Sequence, residues 1–266
     1  MKLQPRHYLM CRPTYFTVEY VINPWMDPEV PTDTALAVSQ WEKLVEIYGQ
    51  LGHKVDFIDP IPGLPDMVFA ANGATVVDGR VLGAQFRNVQ RADEGPAYSA
   101  WFEAAGYDVK APKHVNEGEG DFLVTENFVL AGTGFRTDPG GHSEAQEWFG
   151  RPVISLQLVD PRYYHLDTAL FVLEADQVAY FPGAFSPGSQ QVLARLFPEA
   201  LLVSAADAGV FGLNSVSDGH NVIVPPQATQ LIADLTARGY NPITVDLSEL
   251  LKGGGGPKCC TLEIRP

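Results

Sequence analysis

Apolar residues along the chain fall into short runs, paired across tight-turn residues. ATVVDGRVLGA (Ala74–Ala84), FLVTENFVLAG (Phe122–Gly132), LFVLEADQVAYF (Leu170–Phe181) and SVSDGHNVIV (Ser215–Val224) each predict a β-hairpin. Other stretches repeat at helical spacing. TALAVSQWEKLVEIYGQLG puts Trp41, Leu44, Val45 and Tyr48 on one face, and GPAYSAWFEAAG, SEAQEWFG, SQQVLARLF and PQATQLIADLTARG predict further helices. Several stop at a glycine, which takes the left-handed conformation that ends a helix. Extended runs follow most of them, in HKVDFID, YDVKAP, PVISLQLV and NPITVDL. The repeating unit is therefore strand, strand, helix, strand.

Polar residues recur just before the first strand of each hairpin. Asn72, Asp121, Asp167, Asn214 and Cys259 are spaced 49, 46, 47 and 45 positions apart, and Asn23 precedes Asn72 by another 49. A regular period implies a ring or a solenoid. All-β propellers share roughly this period but place no amphipathic helix in each repeat, so an α/β ring of five modules is expected. The terminal strand TLEI would pair near HYLMC and close the circle. No linker divides the chain, which predicts a single domain over residues 1–266. If the polar positions sit at the same end of their modules, a ring gathers them around its axis, and residues distant in sequence line one pocket.

Composition narrows the partners. With 45% hydrophobic residues in 266, the chain can bury a substantial core. A net charge of −14 argues against nucleic acid and anionic membranes, both of which need a basic footprint, and is compatible with a small cationic substrate. No apolar run reaches the ~18 residues of a membrane span, and MKLQPRHYLMC carries no export signal. Three cysteines, two adjacent, make neither a disulfide framework nor a zinc site; reduced thiols in a cytoplasm are the expectation.

A cysteine nucleophile needs a base or cationic neighbour, and a group to orient that base. Cys259 follows the glycine-rich GGGGPK and precedes a strand. His165, in RYYHLDT, is the histidine beside a repeat position, and strand alternation would put it on one face with Asp167. EGEGD (Glu117–Asp121) supplies carboxylates among glycines that leave the backbone open to a ligand. Each of these signals alone is weak, and their coincidence with one period gives them weight.

These residues carry a family resemblance. LMCRP (Leu9–Pro13), YVINPWM (Tyr20–Met26), PDMVFAAN (Pro65–Asn72), EGEGD, AGTGFR (Ala131–Arg136), RYYHLDT (Arg162–Thr168) and KCCTL (Lys258–Leu262) resemble the guanidine-modifying superfamily of arginine deiminases, dimethylarginine dimethylaminohydrolases and amidinotransferases. Within it, the chain resembles the catalytic domain of arginine dihydrolases. The resemblance covers nearly the whole chain and implies a pseudo-symmetric five-module α/β propeller of ββαβ repeats around a central pocket. It implies Cys259 as nucleophile, His165 as general acid and base, and Glu117 as the carboxylate that orients it, with Glu119 as the alternative acid. Asp66, Asn72 and Asp167 would hold the guanidinium, and Arg91 and Arg136 would receive the substrate's α-carboxylate. Asn23, Asp121 and Asn214 would complete the binding set. Adjacent Cys259 and Cys260 would face opposite sides of a strand, with Cys260 packing as a small apolar residue.

The implied reaction is hydrolysis at the guanidinium of arginine through a covalent thiouronium, with no metal or organic cofactor. Arginine dihydrolase is the expected activity, with dimethylarginine dimethylaminohydrolase or arginine deiminase as alternatives. A non-catalytic propeller scaffold is the alternative from another class.

Overall fold

The computed structural model describes residues 5–266. Residues 1–4, part of the stretch read for an export signal, lie outside the described residues. Five three-stranded sheets are built alike. In each, an antiparallel pair is extended by a third strand lying parallel to the middle one. β3 (Ala74–Val77) and β4 (Arg80–Gly83) are joined by β5 (Asp108–Lys110), and β6 (Phe122–Val124) and β7 (Val129–Thr133) by β8 (Val153–Gln157). β9 (Leu170–Glu174) and β10 (Gln177–Tyr180) are joined by β11 (Leu201–Leu202), and β12 (Val216–Ser217) and β13 (Asn221–Val224) by β14 (Asn241–Thr244).

The remaining sheet joins the two ends of the chain. β1 (His7–Cys11) runs parallel to β2 (Lys54–Ile58) and antiparallel to β15 (Leu262–Glu263), with Tyr8 opposite Glu263 and Leu9 opposite Leu262. The expected pairing of TLEI with HYLMC is present.

Helices connect each middle strand to its parallel neighbour: α1 (Thr34–Gln50), α2 (Glu94–Ala104), α3 (Pro139–Phe149), α4 (Pro187–Leu196) and, after a short α5 (Ala205–Ala208), α6 (Thr229–Ala237). A last turn, α7 (Ser248–Leu251), precedes the glycine run. In α1, Asp33 caps the first turn by accepting from the Leu36 amide at 3.0 Å, and Ala37, Trp41, Leu44, Ile47 and Tyr48 bury one face. Among the described residues no helix is long and apolar enough to cross a membrane.

The turns that precede the hairpins differ from expectation. Asn72 lies in a 3₁₀ turn, Ala70–Gly73; Asp121 closes another, Gly118–Gly120; and Asp167 sits inside a third, Leu166–Thr168. His165 and Asp167 were expected to share a strand face. His165 is extended, but the chain curls directly after it, so a turn sets the direction of Asp167. Cys259 and Cys260 likewise lie in a turn, where the Cys260 amide donates to Gly256 O at 3.2 Å, and the strand begins only at Leu262.

These turns touch in sequence order. Asn72 Nδ2 approaches Glu117 O at 3.5 Å, the Leu166 amide donates to Asp121 Oδ1 at 3.0 Å, and Asn214 Nδ2 reaches Asp167 O and Cys259 Sγ at 3.1 Å each. The Ala71 amide then donates to Cys259 O at 3.0 Å, returning the series to its start.

Candidate active site

Cys259 is 2% exposed and is held from both sides. Asn214 Oδ1 accepts from the Cys259 and Gly256 amides at 3.1 and 3.0 Å, while its Nδ2 donates to Sγ. The thiol in turn lies 3.4 Å from Asp167 Oδ2. Burial, then the Asp167 charge, pushes the thiol well above its ordinary range, so the resting sulfur is protonated. Burial pushes Asp167 up to about 7 against the opposing pull of Lys258.

His165 is tied to one of the two candidate acids. Its Nε2 lies 2.7 Å from Glu117 Oε2, which also accepts from Arg136 Nη1 at 2.6 Å, and Glu117 Oε1 accepts from the Arg87 amide at 3.2 Å. Burial opposes the Glu117 charge, but the Arg136 guanidinium and the His165 ring outweigh it and hold the carboxyl well below the usual range. Glu119 faces elsewhere, toward Lys258 Nζ at 2.7 Å, Arg265 and the Glu263 amide. The acid on the histidine is therefore Glu117. The left-handed Gly118, φ 54°, lies between them, where a Cβ would come within 2.7–2.8 Å of three carbonyl oxygens.

Asp66, Asn72 and Arg91 form a third cluster. Arg91 forks onto Glu94 at 2.9 and 2.7 Å, donates to Asn72 Oδ1 at 2.8 Å and to Asp66 O at 3.2 Å, and stacks over Phe86. Asp66 Oδ2 accepts from Tyr20 at 2.9 Å. Burial raises both Asp66 and Glu94, the latter to about 7. Gly120 brings the clusters together: a Cβ there would lie 2.3 Å from Asn72 Nδ2 and 3.1 Å from His165 Nδ1.

Three buried atoms of these residues, Asp66 Oδ1, His165 Nδ1 and Asp167 Oδ1, find no partner among the described residues. Buried polar atoms are almost always paired, so three among neighbouring candidates mark where a ligand with donors would be received. Asp121 differs, since its oxygens are taken by the Leu166 and Thr137 amides and it braces the turn after His165. Asn23 bridges the Trp25 amide and Gly253 O. Arg91 and Arg136, expected to receive a carboxylate, are each already paired with a carboxylate of the protein.

Tyr20, Glu94 and Lys258 escaped the sequence reading. Tyr20 and Lys258 stand inside the quoted YVINPWM and KCCTL, and the Arg91–Glu94 pair has helical i, i+3 spacing, yet nothing local says that Glu94 and Lys258 are buried or that Tyr20 reaches a buried carboxylate. Among the described residues no group of three or more His, Cys, Asp or Glu side chains is placed to hold a metal ion.

A buried thiol against a carboxylate, with a carboxylate-held histidine two residues from that carboxylate, suits a class that works on planar, cationic carbon–nitrogen groups. No protein-family model matches the chain. It is 54% identical over 261 residues to an N(G),N(G)-dimethylarginine dimethylaminohydrolase of Mycobacterium tuberculosis, covering 98% of this chain and 86% of that protein. It is 37% identical to the bifunctional arginine dihydrolase/ornithine cyclodeaminase AgrE of Nostoc sp., across 97% of this chain but only 37% of that protein's length. The crystal structure of the N-terminal domain of ArgZ, a cyanobacterial arginine dihydrolase, bound to substrate, superposes with a TM-score of 0.93 at 34% identity, covering 98% of both chains. The chain belongs to the guanidine-modifying family of dimethylarginine dimethylaminohydrolases, arginine deiminases and arginine dihydrolases, and it is a hydrolase of guanidino carbon–nitrogen bonds.

Proposed function

We propose that the protein is an arginine dihydrolase, taking arginine to ornithine, carbon dioxide and ammonia through a thiouronium on Cys259. The orientation of Asn72 carries this reading. Its Oδ1 is committed to Arg91, which leaves the amide NH2 as the group to offer. Among the described residues that NH2 has only the long 3.5 Å contact to Glu117 O, and it lies against Gly120, as His165 Nδ1 does. A donor suits the ureido oxygen of citrulline, whereas a carboxylate there would favour the cationic guanidinium alone. Citrulline formed in the first round would then be held for a second attack.

In this mechanism the guanidinium binds against Asp66 and Asp167, and its charge offsets the Asp167 charge, which acts after burial to keep the Cys259 thiol protonated. With its proton taken by His165, the Cys259 thiolate attacks the guanidinium carbon. His165, oriented by Glu117, passes the proton to the departing ammonia and then takes one from the water that hydrolyses the thiouronium. The five like-built sheets with their cycle of turn contacts support reading the chain as a single propeller domain, with the candidate residues around its axis. Reduced cysteines in a cytoplasm fit a thiol nucleophile.

Dimethylarginine hydrolysis is the second reading, favoured by the Mycobacterium tuberculosis relative. Purified protein incubated with arginine, asymmetric dimethylarginine or citrulline separates the two. Ornithine from arginine and from citrulline supports the dihydrolase; dimethylamine from dimethylarginine, with no ornithine, supports the second reading. No turnover of any of the three, with Cys259 alkylated no faster than Cys11, would support the scaffold. Asn72→Asp is expected to shift the product of arginine from ornithine toward citrulline, and unchanged ornithine output would remove the argument from Asn72.

A further inference from the structure

We infer that Tyr20 is a positioning residue for substrate binding, whose phenol fixes the Asp66 carboxylate so that its Oδ1 is presented to the guanidinium. The inference rests on Asp66 being a guanidinium acceptor, as proposed above. Asp66 is 1% exposed, and its two oxygens are treated differently. Oδ2 accepts from Tyr20 Oη at 2.9 Å and lies 4.0 Å from Arg91 Nε, whereas Oδ1 has no partner among the described residues. Arg91 is not the group that sets this orientation, because its fork is spent on Glu94 and its remaining short contacts go to Asn72 and the Asp66 backbone. Tyr20 supplies the only hydrogen bond to the Asp66 side chain found among the described residues.

Tyr20 also belongs to a segment tied to the rest of the site. Ile22 O accepts from Arg136 at 2.8 Å, Asn23 donates to Gly253 O at 3.1 Å, and Trp25 donates to Arg162 O at 2.9 Å while packing edge-on against Phe211. The hydroxyl that orients the acceptor therefore arrives with the same stretch of chain that grips Arg136, the partner of Glu117.

The charge state follows from the same contacts. Burial pushes the Asp66 carboxyl up, and Glu117 and Glu94 stand on the unfavourable side, while Arg91, the Tyr20 hydrogen bond and Arg136 favour the anion. Burial and the Asp66 charge push the Tyr20 phenol up, so it stays a donor. Removing the hydroxyl raises the Asp66 carboxyl further, because a donor to the charged form has been lost. A cationic ligand needs that carboxylate ionised, so the penalty is greatest at low pH and shrinks as pH rises.

The test uses full-length protein carrying Cys259→Ser, so that L-arginine binds without being consumed, with affinity measured by calorimetry from about pH 6 to about pH 8.5. Tyr20→Phe keeps the ring and is expected to weaken L-arginine binding roughly tenfold at the acid end, with the ratio to the parent falling as pH rises. Asp66→Asn should weaken binding by at least as much, and adding Tyr20→Phe to it should change affinity by less than about twofold. An unchanged affinity in Tyr20→Phe, a loss that does not vary with pH, or losses that add in the double variant would each overturn the inference. If Asp66→Asn binds L-arginine like the parent, it is the reading of Asp66 as a guanidinium acceptor that fails.

Discussion

Glu117 and Glu119 are both fully buried and two positions apart, yet they face different cations, which gives them separable consequences. Glu117→Gln keeps the hydrogen-bonding shape but removes the charge on His165 Nε2, and kcat is expected to fall about 100-fold or more, beyond what any change in folding explains. Glu119→Gln leaves Lys258 and Arg265 without their shared carboxylate. The expected loss is about 2–4 kcal/mol of stability, read as a lower urea midpoint, with kcat changed by no more than several-fold where the protein is folded. A large kcat loss in Glu119→Gln with Glu117→Gln nearly active would reverse the assignment of the orienting acid.

The one-turn segments ahead of the hairpins do the positioning, and glycine makes two of their features possible. Gly118→Ala forces a Cβ onto the carbonyls of residues 71, 72 and 74 from a left-handed backbone, so a lower melting temperature is expected. Gly120 does not need positive φ; its Cβ would meet Asn72 Nδ2 and His165 Nδ1 instead. Gly120→Ala should therefore lower kcat/KM more than it lowers the melting temperature. The hairpins were legible in the sequence because alternation is local and because Asp78–Gly79 supplies the two positive φ values of a tight hairpin turn. β11, with two residues, is too short for a period to reveal. A 3₁₀ turn of three residues, as after His165, or the turn that holds Cys259 and Cys260, likewise has no period of its own, which is why the pattern there predicts strand. The five repeat positions were legible because the period itself marked them, but the Tyr20–Asp66 and Arg91–Glu94 partnerships depend on burial that no spacing encodes.

Joining the chain ends in one sheet places the cysteine turn against the first module, with carboxylates crowded in the interior. Burial pushes Asp167 and Glu94 up to about 7 and Asp121 up to about 6, whereas unfolded carboxyls titrate near pH 4. From about pH 4 to about pH 7, then, the unfolded chain has released protons that the folded protein keeps, and stability falls as pH rises through that window. Glu117 and Glu119, held below the usual range, and Asp218, held near about 2, act the other way, but their contribution is complete above the unfolded value and is lost only on further acidification. The urea midpoint is therefore expected to be higher near pH 5.5 than near pH 7.5. Repulsion within a chain of net charge −14 has the same sign, but salt screens exposed charges far more than buried ones. Asp167→Asn separates the two contributions, since it should flatten the pH dependence at high salt, where a purely global effect would already have disappeared. A bound guanidinium beside Asp167 should flatten it as well, because the ligand supplies the countercharge that the folded protein lacks. A midpoint that rises toward neutral pH, or one whose slope Asp167→Asn leaves unchanged, would show that Asp167 does not keep a proton in the folded protein through this window.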